Sequence, residues 1–316
     1  MLERSDTGAP SVVRVLSRDA AAATSLFAHV GLYSTAESAR THSVVLEVVE
    51  GSVEDPSSLV PLLSGATRLF LLTLTSLGAR QRAVEEGVLG LLGLPRGSGA
   101  AVGASVIHIV RLSAHARGME GQPSNSPFRW HSECDEQLLQ MCDRSRSCGR
   151  GVAVTLLRPS LFMQDMTRRH FAPVIVEEDK FYQLGLMQGG CCVDGYRIAM
   201  VDSRDIADVA ATVLSQPVSA HAGNTYILSG PRALSWRDVA EAITAVCGRP
   251  VQAHVLSDKA FFDRFGRSHV YLKQMQAYRA GCGEDVDGDI EVVTGKPARS
   301  IDSFCQDYAS AWKKPV

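Results

Sequence analysis

Val44–Thr73 reads VVLEVVEGSVEDPSSLVPLLSGATRLFLLT. Two short apolar runs, Val44–Glu50 and Arg68–Thr73, enclose a turn and a short helical pattern. Asp55 followed by Pro56 has the order of a helix start: a side chain that can accept from free backbone N–H groups, then a residue whose missing N–H costs nothing there. Strand, helix and strand in roughly thirty residues form the unit of a parallel sheet, whose neighbouring strands need a crossover long enough to hold a helix.

The alternation continues on both sides. Ser11–Ser17 (SVVRVLS) is a β-branched run followed by an alanine-rich helical segment from Asp19 to about Val30. Downstream, Ala79–Leu92 has helical spacing, Val106–Ser113 (VIHIVRLS) is a strand, Phe128–Arg144 is helical and Val152–Arg158 (VAVTLLR) is a strand. Nearly continuous apolar strands predict a sheet covered on both faces. The second half is less regular. Ser203–Leu214 and Trp236–Cys247 read as helices, the latter opened by Ser235 with Asp238 placed for a capping box. Asn224–Leu228 and Val251–Leu256 read as strands, and Asp258–Phe265, Ser268–Ala280 and Ser300–Trp312 as helices. Ser34–Ser43 and Leu94–Ser105 have the composition of surface insertions. The loop Ala114–Pro127 follows a strand's carboxyl end, where open α/β sheets bind ligands, and is a candidate substrate lid.

Bulk properties narrow the function classes. The 316 residues are 45% hydrophobic and 21% charged, with formal net charge -2, which gives no electrostatic case for nucleic acid or an anionic membrane. No apolar run approaches the roughly 20 residues of a membrane span, and Met1–Pro10 has no signal-peptide core, so a cytoplasmic protein is expected. Eight cysteines without a C-x-x-C pair or a completing histidine doublet suggest reduced thiols and no metal.

Several stretches resemble the NmrA-like family of atypical short-chain dehydrogenases. They are Val13–Asp19 (VRVLSRD), the run ending at Thr73, Val106–Ala114 (VIHIVRLSA), Arg129–Leu138 (RWHSECDEQL), Thr155–Met166 (TLLRPSLFMQDM) and Val201–Leu214 (VDSRDIADVAATVL). Asn224–Val251 and Val293–Trp312 are similar to the family's ending, and to that of fungal ergot-alkaloid-type reductases, which suggests a setting in fungal secondary metabolism. The resemblance implies an α/β fold: a doubly wound, parallel Rossmann-type sheet over residues 1–160 that binds NAD(P), and a smaller α/β C-terminal substrate region over residues 161–316.

It also exposes a gap. Such proteins open with a strand and a turn of the form T-G-x-x-G-x-x-G, whose glycines let the backbone approach a pyrophosphate at a helix N-terminus. Here Thr7-Gly8-Ala9-Pro10 runs at once into what matches the second strand, so the first strand and glycine-rich turn are expected to be missing. Gly97–Gly103 (GSGAAVG) does not replace them, because it lies after a helix and before a strand, the reverse of the context the motif needs.

Arg18, at the end of the first run, is placed to hold the 2′-phosphate of NADP, which favours NADP over NAD. By resemblance Val53 and Glu54 pass the adenine, Thr73 borders the ribose and nicotinamide through its backbone, and Pro159 borders the nicotinamide. Ser113 matches the serine of the dehydrogenase Ser–Tyr–Lys set, but the helix that follows has no tyrosine four residues before a lysine. His131 stands there instead, able to donate a proton or to hydrogen-bond a substrate carbonyl. Phe162 and Met163 are candidate pocket residues, while Glu133, Asp135 and Glu136 read as a solvated acidic face. The expected function is NAD(P)H-dependent reduction of a small carbonyl, imine or quinone-type molecule. The alternatives are a non-catalytic NAD(P) sensor acting on a protein partner, and an inactive truncated form.

Overall fold

A computed structural model describes residues 11–29, 44–94, 101–147, 149, 151–168, 171–188, 191–193, 195–266 and 269–314. The expected insertion Ser34–Ser43 lies outside the described residues, as do residues 95–100 of the second one.

The alternating elements form where the apolar runs place them. They are β1 (Ser11–Ser17), α1 (Ala20–His29), β2 (Val44–Glu50), α2 (Val60–Leu63), β3 (Arg68–Leu72), α3 (Gln81–Leu91), β4 (His108–Leu112), α4 (Pro127–Ser147) and β5 (Ala153–Pro159). Asp55 caps the turn of 3-10 helix that precedes α2, its carboxylate accepting from Ser57 N at 3.0 Å with Pro56 next in line. β1 runs parallel to β2 with Arg14 opposite Glu47, and the two side chains pair at 2.8 Å. β3, β4, β5 and β9 (Thr225–Leu228) form a four-stranded sheet in that order. This is the doubly wound, Rossmann-like α/β arrangement. In the strand order of such sheets one further position separates β1 from β3, and no described strand occupies it. Covering is uneven. β4 is buried along most of its length, while Val12, Val13, Phe70 and Leu72 of β1 and β3 are exposed, contrary to the expectation that every strand is covered on both faces.

The remaining elements are α5 (Ala172–Glu178), β6 (Lys180–Leu184), β7 (Leu186–Gln188), β8 (Cys191–Val193), α6 (Ser203–Ser215), α7 (Val218–His221), α8 (Trp236–Cys247), β10 (Gln252–Leu256), α9 (Asp258–Phe265), α10 (His269–Arg279), α11 (Asp289–Thr294) and α12 (Ile301–Asp307). β6 and β10 pair in parallel and β7 and β8 form an antiparallel hairpin. The capping box of α8 is present: Ser235 Oγ accepts from Asp238 N and Asp238 accepts from Ser235 N.

Two compact units share the chain. The first holds Met1–Arg111, Cys134–Leu156 and Ala211–Asn224, and the second Leu112–Glu133, Leu157–Ala210 and Thr225–Val316. The first unit's core gathers Leu59, Leu63, Leu89, Leu92, Ile109 and Leu138. The second is richer in aromatic residues: Phe181, Trp236 and Phe304 are enclosed with Trp312, whose indole N–H donates to Met166 O at 3.0 Å. At Gly230 of the second unit a Cβ would lie 2.1 Å from Met200 O, so only glycine lets these backbones pass.

Candidate active site

The carboxyl ends of the strands position the expected site residues, and they fall in both units. In the first, Gly51 N donates to Ser17 O at 2.9 Å and holds the ends of β1 and β2 together. Arg18 follows β1 and is exposed, with no ion-pair partner among the described residues, whereas Arg14 is taken up by Glu47. Val53 and Glu54 follow β2, and Glu54 pairs with Arg80 at 2.8 Å. Thr73 follows β3. Its hydroxyl donates to Glu85 at 2.5 Å and accepts from Gln81 at 2.8 Å, so the side chain is turned inward.

Behind Thr73 lies a buried ionic cluster that the sequence reading missed. Arg111 of β4 is 0% exposed and grips Glu85 of α3 with two hydrogen bonds of 2.8 Å and Asp135 of α4 with one of 2.5 Å. Burial pushes the Glu85 carboxyl up, but the hydrogen bonds and charge of Arg111 outweigh it and hold the group below the usual carboxylate value. Asp135 therefore does not belong to a solvated acidic face. The strand delivers a guanidinium to it, and only Glu136 of the three acids is fully exposed. Burial pushes the thiol of the neighbouring Cys134 up to about 12, which leaves it a poor nucleophile.

In the second unit the ends of β4 and β5 are laced together. Ser113 N donates to Leu157 O at 2.8 Å and His115 N to Pro159 O at 2.9 Å, and Ser160 N reaches Leu228 O of β9 at 2.9 Å. Ser113 and His131 are both buried, the latter on α4. Met163 is wholly enclosed in the core, and Phe162 keeps partial exposure. Gln164 donates to Asp202 at 2.7 Å and accepts from Ser203 N at 2.9 Å, helping to fix the start of α6. Two enclosed polar atoms at these strand ends have polar neighbours: Ser160 Oγ has the Tyr278 phenol, and His115 Nε2 lies 3.4 Å from Asp285 Oδ2.

The loop expected as a lid is anchored. Ala116 and Met119 are buried in the core, Arg117 N donates to Cys282 O at 2.9 Å and the Arg117 side chain pairs with Asp285. A groove of about 520 Å³ beside Leu139, Cys142, Arg146 and Val152 lies at the amino end of β5, the end opposite to where open α/β sheets bind ligands. Among the described residues no group of acids, histidines and cysteines could hold a metal, and no helix is long and apolar enough to cross a membrane.

No protein-family profile matches the chain. Among curated proteins it is similar to an NAD(P)H azoreductase of Xenophilus azovorans, 28% identical over 277 residues, with 84% of each chain covered. It is also similar to a (4-alkanoyl-5-oxo-2,5-dihydrofuran-3-yl)methyl phosphate reductase of Streptomyces griseus, 26% identical over 276 residues and again covering 84% of each. Among solved structures it resembles an Escherichia coli NADPH-dependent quinone oxidoreductase in complex with NADPH (TM-score 0.65, 19% identity, 93% of this chain and 89% of that one). A Citrobacter triphenylmethane reductase complexed with NADP(H) gives a TM-score of 0.64 at 17% identity, over 93% and 89%. The negative transcriptional regulator NmrA in complex with NAD gives 0.59 at 13% identity, over 96% of each chain.

Proposed function

We propose, for a chain with the fold of the NmrA-like, atypical short-chain dehydrogenases, an NAD(P)H-dependent oxidoreductase that reduces a small carbonyl, imine or quinone-type acceptor. The observation that carries this reading is the meeting of Ser113, Pro159 and Ser160 on adjoining strand ends, the end at which open α/β sheets bind ligands. The reductase names of both curated relatives support the class of chemistry.

A dinucleotide fits part of this chain's equipment. Arg18 would hold a 2′-phosphate, Val53 and Glu54 would pass the adenine, and the backbone at Thr73 and Pro159 would border the ribose and nicotinamide. No glycine cradle for the pyrophosphate occurs among the described residues; Gly103 packs on Leu92, where a Cβ would lie 2.3 Å from Leu92 Cδ2. When bound, the reduced nicotinamide supplies hydride. The protein's part is to bind and orient the acceptor, with Ser113 and His131 as hydrogen-bond donors to its heteroatom, and to keep water from the reacting atoms.

Titration of NADPH and NADH against intrinsic tryptophan fluorescence tests the reading first, and binding of neither would sink it. Arg18→Gln should weaken NADPH about tenfold and leave NADH nearly unchanged, because a single guanidinium–phosphate contact is worth roughly that factor. Equal weakening of both would remove Arg18 from the 2′-phosphate site. His131→Ala should lower turnover of a quinone or azo acceptor at least tenfold, on the order of one lost donor in an oxyanion-type site. Full turnover in that variant would dismiss the role. A second reading, a dinucleotide sensor without turnover, is favoured by one observation: α4 carries neither tyrosine nor lysine. NADPH binding without oxidation across an acceptor panel would select it.

A further inference from the structure

In dinucleotide folds an acid at a strand end such as that of β1 accepts from the ribose 2′-OH of NAD, whereas an arginine there accommodates the 2′-phosphate of NADP. This chain carries both side by side, and Arg18 and Asp19 are both exposed. Asp19 is already engaged. Its Oδ1 accepts from Ala22 N at 2.8 Å and its carbonyl from Ala23 N at 3.1 Å, which makes it the N-cap of α1. The hydroxyl of Ser17 closes the turn from the other side, donating to Asp19 O at 2.8 Å and accepting from Asp19 N at 3.2 Å. Ser17 is in turn fixed to β2, since its carbonyl accepts from Gly51 N at 2.9 Å. These bonds hold the backbone on both sides of Arg18 and leave Arg18 itself exposed.

The cap carries unusual weight in α1. The helix is ten residues long, Ala20–His29, and none of them is buried, so packing does little to hold its first turn. A helix of that length is marginal without tertiary support. The Asp19 carboxylate also sits where negative charge is favourable, at the positive end of the helix dipole.

We propose that Asp19 sets the preference for NADP by acting through Arg18. As the cap of α1 it is withdrawn from a ribose hydroxyl, and it holds the turn that presents Arg18 to the 2′-phosphate. Asp19 is thus a positioning residue and not a ligand. This rests on the assignment of Arg18 to the 2′-phosphate proposed above.

Binding of NADPH and NADH to Asp19→Ala, Asp19→Asn and Arg18→Gln separates the roles. Alanine cannot cap, so Asp19→Ala should weaken NADPH about fivefold, the scale of one lost cap, and leave NADH within about twofold. Asparagine caps as well as aspartate, so Asp19→Asn should keep both dinucleotides within about twofold of the parent. In the Arg18→Gln background, Asp19→Ala should weaken NADPH no further, because its effect passes through the arginine. About a tenfold loss of NADH affinity in Asp19→Asn would make the carboxylate a ribose ligand and overturn the proposal. So would unchanged NADPH affinity in Asp19→Ala, or the same loss with Arg18 already replaced, which would mark a general loss of structure. Adenosine 2′,5′-bisphosphate and 5′-AMP repeat the comparison without nicotinamide or pyrophosphate. A parent that binds neither dinucleotide but tells these two apart through Asp19 would end the reductase reading and keep the positioning role. A parent that binds none of these ligands would end both.

Discussion

Arg111→Met should cost this protein about 3–5 kcal/mol, the range for removing one partner from a buried ion cluster. Methionine nearly fills the volume of the arginine stem, so the loss arises from charge and not from a cavity. Glu85 and Asp135 would be left without their guanidinium, and burial, opposed at Glu85 by the hydrogen bonds of Thr73 and Gln81 alone, would favour the protonated carboxyls. Stability measured by urea unfolding should therefore fall steeply at pH 7 and recover in part at lower pH, where the carboxyls are neutral. Adding Glu85→Gln and Asp135→Asn to the methionine variant should recover part of the loss at pH 7, because the stranded charges are gone. A single variant that loses less than about 1 kcal/mol would show that the cluster is more hydrated than its burial indicates.

The second large effect is acid lability centred on His108. Its Nε2 lies 2.9 Å from Thr155 Oγ1, and that hydroxyl donates to His221 O at 2.8 Å, so the ring must donate through Nε2–H and is neutral. Nδ1 is enclosed and has no partner to receive a second proton. Burial, helped by the positive charge of Arg68 and by His221, lowers the ring from 6.5 to about 4. In the unfolded chain the same ring takes up its proton near 6.5, so between these values the unfolded state binds more protons and stability declines as pH falls. The decline due to this group is about 3 kcal/mol, complete near pH 4. His221 and His115, also lowered chiefly by burial, act in the same direction. His108→Gln keeps an amide N–H for Thr155 and removes the titration, so its urea-unfolding free energy should depend less on pH between 6.5 and 4 than that of the parent. Parallel curves for the two proteins would refute the assignment.

What could be read from the sequence follows from how local each signal is. The Asp55-Pro56 start and the Ser235–Asp238 capping box depend on residues three or fewer apart, and both form as their spacing suggests. The strands β2 and β3 are marked by their own apolar runs. Arg111 and Asp135 are different. Twenty-four positions separate them, and nothing within α4 tells that a strand will bring a cation to one acid of the RWHSECDEQL run and not to its neighbours. β6 escaped notice because its sequence, KFYQL, carries no clean alternation and its partner β10 lies about seventy residues downstream. The loop Ala114–Pro127 is rich in turn residues and reads from sequence as a lid. Only the packing of Ala116 and Met119 and the bond from Arg117 N to Cys282 O turn that loop from a lid into a wall. The strand-end placement of Ser113 and Pro159 was legible because the ends of apolar runs are legible. Their side-chain surroundings were not.

The interleaving of the two units has a practical consequence for anyone dividing the gene. The chain passes between them after Arg111, Glu133, Leu156, Ala210 and Asn224. No single cut yields two pieces that each contain a whole unit, and both α4 and β5 would be severed by cuts at the second and third passages. Fragment complementation should therefore be sought by splitting at surface loops within one unit, and a protease nick between the halves will not release an autonomous unit.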